Sequence, residues 1–186
     1  MKMSWDKLDI PTMLVHGFDM YRVYLSAPGD LDAEKQLCRS VISETNESDA
    51  MPSKILLVSV GLPQDGLVEQ FRGVVADNIR QCTYYVQVFE DDWGPKNMMR
   101  KMFYLACDGR GDAALPMRDV VVFLKDASRE TDPDILAFRK ELLELADVRV
   151  VPFKTSDEMR AHLREITAGW VRQIRESAPR VAALAD

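Results

Sequence analysis

The chain has 186 residues, of which 47% are hydrophobic and 29% charged, and it carries a formal net charge of −6. That length suits one domain with its own core, and the composition excludes a wholly disordered chain. The acidic balance argues against a protein that coats nucleic acid or anionic lipid, because both surfaces are themselves negatively charged.

Five short apolar runs alternate with segments of helical spacing. β-Branched and aromatic residues are frequent in these runs, and most lack strict alternation, which favours strands covered on both faces of a parallel sheet. The fifth run contains Pro152, which cannot donate to a central hydrogen-bond ladder and therefore favours an edge position. The predicted strands are Tyr21–Leu25, Ile55–Val60, Tyr84–Phe89, Val120–Leu124 and Val148–Phe153.

Helical stripes lie between and after the runs. Two of the helices have start signals: Thr131 or Asp132 before Pro133, and Thr155 followed three residues later by Glu158, a capping-box pattern. The stretch 108–118 is predicted to be a loop that contains glycine. The predicted helices cover about 31–45, 67–79, 96–106, 135–145 and 159–174.

The resulting order, βαβαβαβαβα, predicts an α/β protein with a single three-layer, flavodoxin-like domain. The expected five-stranded parallel sheet has the order 2-1-3-4-5, with helices on both faces. Residues 21–176 are predicted to form this domain, between an N-terminal extension (1–20) and a C-terminal tail (177–186).

The first residues lack a signal-peptide pattern, and no segment approaches the length of a membrane helix. Three widely spaced cysteines predict free thiols, so the expected location is the cytoplasm, without membrane contact.

A ligand in such a sheet is expected beyond the carboxyl ends of the strands, where the strand order reverses. The first strand is followed there by Ser26, Pro28, Gly29 and Asp30, whose loop leads into a helix and could receive a phosphate or carboxylate. Gly61 follows the second strand. The simpler interpretation of the first loop is that Ser26 or Asp30 only caps the helix.

The third strand is followed by the densest cluster of carboxylates at any predicted strand end. Glu90, Asp91 and Asp92 could orient sugar hydroxyls or hold a cation, or they form an ordinary solvated loop. Trp93 either stacks on a ligand or covers the sheet edge. The sequence has no glycine pattern of a dinucleotide or P-loop site, no nucleophilic triad and no zinc set, so no cofactor and no metal site are predicted.

Three stretches of the chain resemble a bacterial TIR-like domain family of unknown function. The first is the opening Tyr21–Leu31 with Glu34-Lys35, where Lys35 replaces the usual arginine. The second comprises a helix end, the third strand and an aromatic-glycine turn. The third is the closing helix–strand–helix pattern. The second stretch consists of Asn78–Thr83, Val86, Val88 and Trp93-Gly94. The third stretch consists of Phe138–Leu145, Val150–Phe153 and Glu158–Leu163.

The resemblance implies a relation to TIR domains and nucleoside deoxyribosyltransferases, whose active members use a glutamate on the helix after the third strand to cleave or exchange an N-glycosidic bond. In this chain, anchoring that helix on Phe103 and Ala106 puts Arg100 and Met102 where the acids belong. A methionine can neither stabilise an oxocarbenium-like charge nor act as the nucleophile.

The leading hypothesis is therefore a signalling or protein-interaction module with a degenerate catalytic position, which binds a protein partner or associates with itself. The first alternative is a hydrolase or transferase acting on the N-glycosidic bond of NAD or a nucleoside, with Glu90 or Asp92 as the working carboxylate. The second alternative is a nucleotide-sensing domain that binds NAD or a nucleotide without cleaving it. None of the three involves nucleic acid or a membrane.

Overall fold

The computed structural model describes residues 17–61, 72–94 and 97–177. These residues form one five-stranded sheet in which every neighbouring pair is parallel and the strand order is β2-β1-β3-β4-β5. The predicted α/β class, flavodoxin-like architecture and strand order are thus confirmed. Most of the predicted extension, the positions Leu67, Phe71 and Lys96, and the predicted tail beyond Ser177 lie outside the described residues.

All five predicted strands are present, and the central ones are buried. Each residue of β3 is buried, as are the five central residues of β4, because both strands are covered by helices on both faces. The strands are β1 (Asp19–Ser26), β2 (Ile55–Val60), β3 (Tyr84–Phe89), β4 (Asp119–Lys125) and β5 (Arg149–Phe153).

The helices follow the predicted stripes, with one correction. Residues 108–111 belong to the last turn of the third helix and not to the predicted loop, since the helix continues through two glycines. The helices are α1 (Asp32–Thr45), α2 (Arg72–Arg80), α3 (Met98–Gly111), α4 (Pro133–Glu144) and α5 (Ser156–Ser177); short helical turns at Gly29–Leu31, Asn46–Ala50 and Met51–Ser53 flank α1.

Both predicted helix starts are confirmed. The Asp132 side chain accepts from the backbone N–H groups of Asp134 and Ile135, directly before Pro133. At the start of α5 the Glu158 N–H donates to Thr155 Oγ1 (3.3 Å), and Glu158 Oε2 accepts from the Lys154 N–H (2.7 Å). These bonds satisfy backbone donors that have no partner inside the helix.

The core consists of two layers separated by the sheet. One layer packs α1 and α5 against one sheet face, and Trp170 stacks on Tyr84 there with a centroid distance of 4.1 Å. The other layer packs α2, α3 and α4 against the opposite face, around Phe103 and Phe138. The second layer adjoins the carboxyl ends of β1 and β3, where the strand order reverses.

Polar or proline residues protect both edges of the sheet. Phe153 accepts from the Asp126 N–H on its β4 side, so the adjacent Pro152 directs its missing N–H toward the free edge, and the predicted edge position is confirmed. On the opposite edge the Asn46 side chain donates to Leu57 O and accepts from Leu57 N, both at 2.8 Å. Edges closed in this way are poor templates for pairing with another strand.

Candidate functional site

Ser26 and Gln87 lie side by side where the strand order reverses. The parallel register between β1 and β3 places them directly opposite each other. Both side chains are buried, Ser26 with 4% and Gln87 with 0% exposure. Both also point to the α3 side of the sheet, since Ser26 contacts Met99 and Gln87 contacts Tyr85. They form the floor of the candidate site.

Two thioethers of α3 cover this floor. The Ser26 hydroxyl lies 3.5 Å from Met99 Sδ, and the Tyr24 hydroxyl lies 3.8 Å from Met102 Sδ. Met102 thus presents the Tyr24 hydroxyl with a weak acceptor without charge. Arg100 points elsewhere: its guanidinium lies over the rings of Trp93 and Phe138, at 5.2 and 5.5 Å.

The buried polar groups on β3 form a short network with one unsatisfied end. The Tyr85 hydroxyl donates to Gln87 Oε1 at 2.8 Å and also lies against Ser26. Burial raises the pKa of Tyr85 well above its ordinary value, so the phenol stays protonated. Gln87 Nε2 is buried and has no hydrogen-bond partner within the described part of the chain. A buried donor without a partner costs free energy, so this amide needs a reason beyond packing.

Glu90 is engaged in an ion-pair cluster on the same edge of the sheet. Lys125 Nζ lies 3.0 Å from Glu34 Oε1 and 3.1 Å from Glu90 Oε2. Desolvation alone would lower the pKa of Lys125, but the two glutamates outweigh it and raise the pKa. Arg139 braces the cluster from α4, donating to the backbone oxygens of Glu90 (2.6 Å) and Lys125 (2.8 Å). Glu90 therefore has a structural role that its sequence context does not show.

Asp91 and Asp92 are exposed on the turn after β3. Asp92 Oδ1 accepts from the Gly94 N–H at 2.9 Å and so closes that turn. Desolvation and then the nearby charges of Glu90, Asp30, Glu130 and Asp92 raise the pKa of Asp91. The carboxylates thus crowd together at this edge, next to a surface cavity of about 350 Å³ lined in part by Glu90 and Asp91.

Trp93 covers the end of the sheet. Its ring packs against Phe89 and Phe138, with centroid distances of 4.8 and 4.2 Å. Two roles are expected for Trp93, stacking on a ligand and covering the sheet edge. Its ring contacts with Phe89 and Phe138 support the second role.

The loop after β1 contributes backbone geometry and no cap. Pro28 is buried and its oxygen accepts from the Leu31 N–H, but neither the short turn at Gly29–Leu31 nor α1 has a side-chain cap, so the predicted capping by Ser26 or Asp30 is wrong. Asp30 is exposed, and a Cβ on Gly29 would meet only open space.

Gly61, directly after β2, packs closely against β1. Its φ is +149°, and a Cβ there would lie 2.7 Å from Leu25 O, so the close approach of β1 requires a glycine at this position.

The cysteines lie in or against the two core layers, and His162 lines a cavity together with Asp126 and Arg139. All three cysteines are free, and burial raises the pKa values of Cys38 and Cys82 to about 12 and that of Cys107 to about 11. His162 is exposed on α5, and His16 lies outside the described residues. The described residues contain no group of three or more His, Cys, Asp or Glu that could hold a metal ion. No helix in that part of the chain is both long and apolar enough to cross a membrane.

Sequence reasoning missed two components of the site. Gln87 is the single side chain in the run YYVQVF that is neither apolar nor aromatic, and that interruption was a usable signal. The Glu34–Lys125 pair joins α1 to β4 over 91 positions, and no local pattern announces it.

The chain matches no protein-family model, and a search of curated proteins finds no match. The geometry of the site therefore carries the functional argument.

Proposed function

We propose that this chain is a TIR-like module that acts in signalling through association with a protein partner or with a second copy of itself, and not through catalysis. The observation that carries the proposal is the thioether cover of Met99 over Ser26 and of Met102 over Tyr24. The resemblance puts Met102 at a position where active relatives use a carboxylate for glycosidic chemistry. Without that charge, an oxocarbenium-like transition state has no counter-ion at this position.

The enzymatic alternative depends on Glu90 or Asp92, and both have other partners. Glu90 is paired with Lys125, and Asp92 accepts from the Gly94 N–H. To act as a nucleophile, either carboxylate would have to give up these bonds. The geometry therefore supports association over hydrolysis or transfer with NAD or a nucleoside.

Association would use helices or loops, because both sheet edges are protected. The outer side of α4 offers a suitable surface: Leu136 and Leu143 are 45% and 60% exposed and lie two helical turns apart. Exposed leucines repeated at this spacing are typical of a helix face that contacts another protein. We call these two residues the α4 leucine pair.

Light scattering over a wide concentration range tests self-association. We expect the mean mass to rise with concentration, and the double substitution Leu136→Glu with Leu143→Glu to abolish the rise. Val74→Glu on α2 is the matched control, since Val74 is also exposed (56%) but lies on another helix. A strict monomer that also captures no protein partner through α4 would overturn the proposal.

Incubation with NAD and with deoxynucleosides tests the absence of catalysis. We expect neither nicotinamide nor free base to be released. Turnover that Glu90→Gln or Asp92→Asn abolishes would establish the enzymatic alternative instead. A rise in melting temperature with NAD, without product, would favour the nucleotide-sensing domain, because a ligand of the native state stabilises it.

A further inference from the structure

We infer that Ser26 and Gln87 form a recognition site for a small uncharged molecule that presents a carbonyl oxygen, and that Met99 and Met102 must move to admit it. This site goes beyond the proposed association and does not depend on it. The starting observation is the buried amide of Gln87, whose Nε2 has no hydrogen-bond partner among the described residues.

Reversing the amide does not remove this deficit. The Tyr85 hydroxyl bonds to one end of the amide, and it serves either as donor or as acceptor. If the oxygen and nitrogen of Gln87 exchange places, the oxygen takes the unpartnered position. In both orientations one end of the fully buried Gln87 amide therefore lacks a hydrogen-bond partner. When the Tyr85 hydroxyl is the donor, the end without a partner is the NH₂ group.

Ser26 adds a second donor beside the first. The two residues are direct neighbours across β1 and β3, and the Ser26 hydroxyl lies between the Met99 thioether at 3.5 Å, a weak acceptor, and the Tyr85 hydroxyl. A ligand oxygen between Ser26 and Gln87 would satisfy Nε2 and offer the Ser26 hydroxyl a stronger acceptor than the thioether. Two neutral donors side by side fit a carbonyl oxygen.

The cover over this pair can rearrange. Met99 and Met102 have unbranched side chains with three rotatable bonds, which repack more easily than branched or aromatic residues. Met99 lies next to the turn after β3, where a Cβ on Gly94 would be 3.3 Å from Met99 Cγ. Displacement of Met99 would therefore open the site toward the carboxyl edge of the sheet.

The charges at that edge select against anions. Desolvation and then the nearby charges of Glu90, Asp30, Glu130 and Asp92 raise the pKa of Asp91, and Lys125 is already paired with Glu34 and Glu90. A phosphate or carboxylate approaching Ser26 would meet this negative field, whereas a neutral molecule would not. The expected ligand is thus uncharged, in contrast to the phosphate or carboxylate that the loop after β1 suggests from sequence.

Three aromatic probes of similar shape test the site: acetophenone, which is neutral with a carbonyl acceptor, benzoate, which is anionic, and benzamidine, which is cationic without a carbonyl. The side-chain amide signals of Gln87 in ¹⁵N-labelled protein are assigned by their loss in Gln87→Met. We expect acetophenone to shift these signals saturably and benzoate and benzamidine to bind at least tenfold more weakly. Unmoved Gln87 signals at the solubility limit of acetophenone, or equal binding of benzoate or benzamidine, would overturn the inference.

Substitutions separate recognition from packing. Gln87→Met is expected to abolish acetophenone binding and to raise the melting temperature, because it removes the unpartnered amide. Gln173→Met, the same change on the exposed side of α5, is the matched control and should alter neither. Ser26→Ala should weaken binding severalfold and serves as the second variant if Gln87→Met does not fold. Unchanged affinity in these variants would show that the amide is only a packing defect and would overturn the inference.

Discussion

The Asn46 side chain and the Leu57 backbone form two reciprocal hydrogen bonds, both at 2.8 Å, so that one side chain acts as a partner for the free edge of β2. Asn46 can do this because the helical turn Asn46–Ala50, which it begins, lies against β2. A side-chain amide has a donor and an acceptor at the spacing of a peptide group.

Asn46→Ala is expected to lower the free energy of unfolding by about 1–2 kcal/mol, because two backbone groups of a partly buried strand lose their partners. It should also promote aggregation at high concentration by exposing the edge. Urea denaturation and light scattering measure the two effects. Asn78→Ala on α2 is the control; if both variants behave alike, Asn46 does not protect the edge.

Lys125→Met leaves Glu34 and Glu90 facing each other without a cation. All three side chains are partly shielded from water, so we expect a loss of about 2 kcal/mol of stability at pH 7. Urea denaturation at pH 7 measures this loss. The triple variant with Glu34→Gln and Glu90→Gln should regain most of the lost stability, because it has no like charges left to repel each other. A triple variant as unstable as Lys125→Met would contradict the repulsion argument.

The framework of this fold could be predicted because its signals are local. The runs Ile55–Val60 and Tyr84–Phe89 match the observed strands residue for residue, and Pro152 located an edge. Bulky apolar residues confined to five or six positions between turns have few other ways to be buried. The end of α3 was misplaced because Gly109 and Gly111 read as loop residues, although the helix continues through both.

The sequence predicts where the candidate site lies in the fold, but not which side chains contact each other there. The strand-order rule located Ser26 and the turn after β3, but the partners of Ser26 and Glu90 lie 73 and 35 positions away. The interpretation of Glu90, Asp91 and Asp92 as a solvated loop holds for the exposed Asp91 and Asp92, while Glu90 belongs to an ion-pair cluster. Side-chain pairing at long separation depends on packing, which a single sequence does not encode locally.

Glu158→Gln tests the pH dependence of the cap on α5. The backbone N–H groups of Lys154 and Thr155 lower the pKa of Glu158, so its carboxylate stabilises the folded protein above the unfolded pKa, near 4.5. This contribution disappears as the pH falls through the folded value. We therefore expect Glu158→Gln to melt below the wild type at pH 7 and the difference to shrink at pH 3. Glu165→Gln, in the middle of α5, is the control; an equal or larger difference at pH 3 would contradict the linkage.

The three thiols are expected to resist modification in the native protein. Burial raises the pKa values of Cys38 and Cys82 to about 12 and that of Cys107 to about 11, so few thiolates exist at pH 8. With a chromogenic disulfide reagent at pH 8, the half-buried Cys107 should react slowly, and Cys38 and Cys82 only as the protein unfolds in urea. Cys107→Ser should remove the slow phase. A rapid phase in the native protein that survives Cys107→Ser would show that a core thiol is accessible.

The two glycines expected to bind a ligand should respond very differently to substitution. At Gly61 a Cβ would lie 2.7 Å from Leu25 O, and φ is +149°, so Gly61→Ala must displace the end of β1 or β2. We expect a loss of at least about 2 kcal/mol in the free energy of unfolding, from backbone strain and the displaced strand. Gly29→Ala is the matched control, because its Cβ would enter open space and the change should stay within about 0.5 kcal/mol. Urea denaturation of both variants measures the contrast, and equal stabilities would mean that the close approach of Gly61 to β1 does not require a glycine.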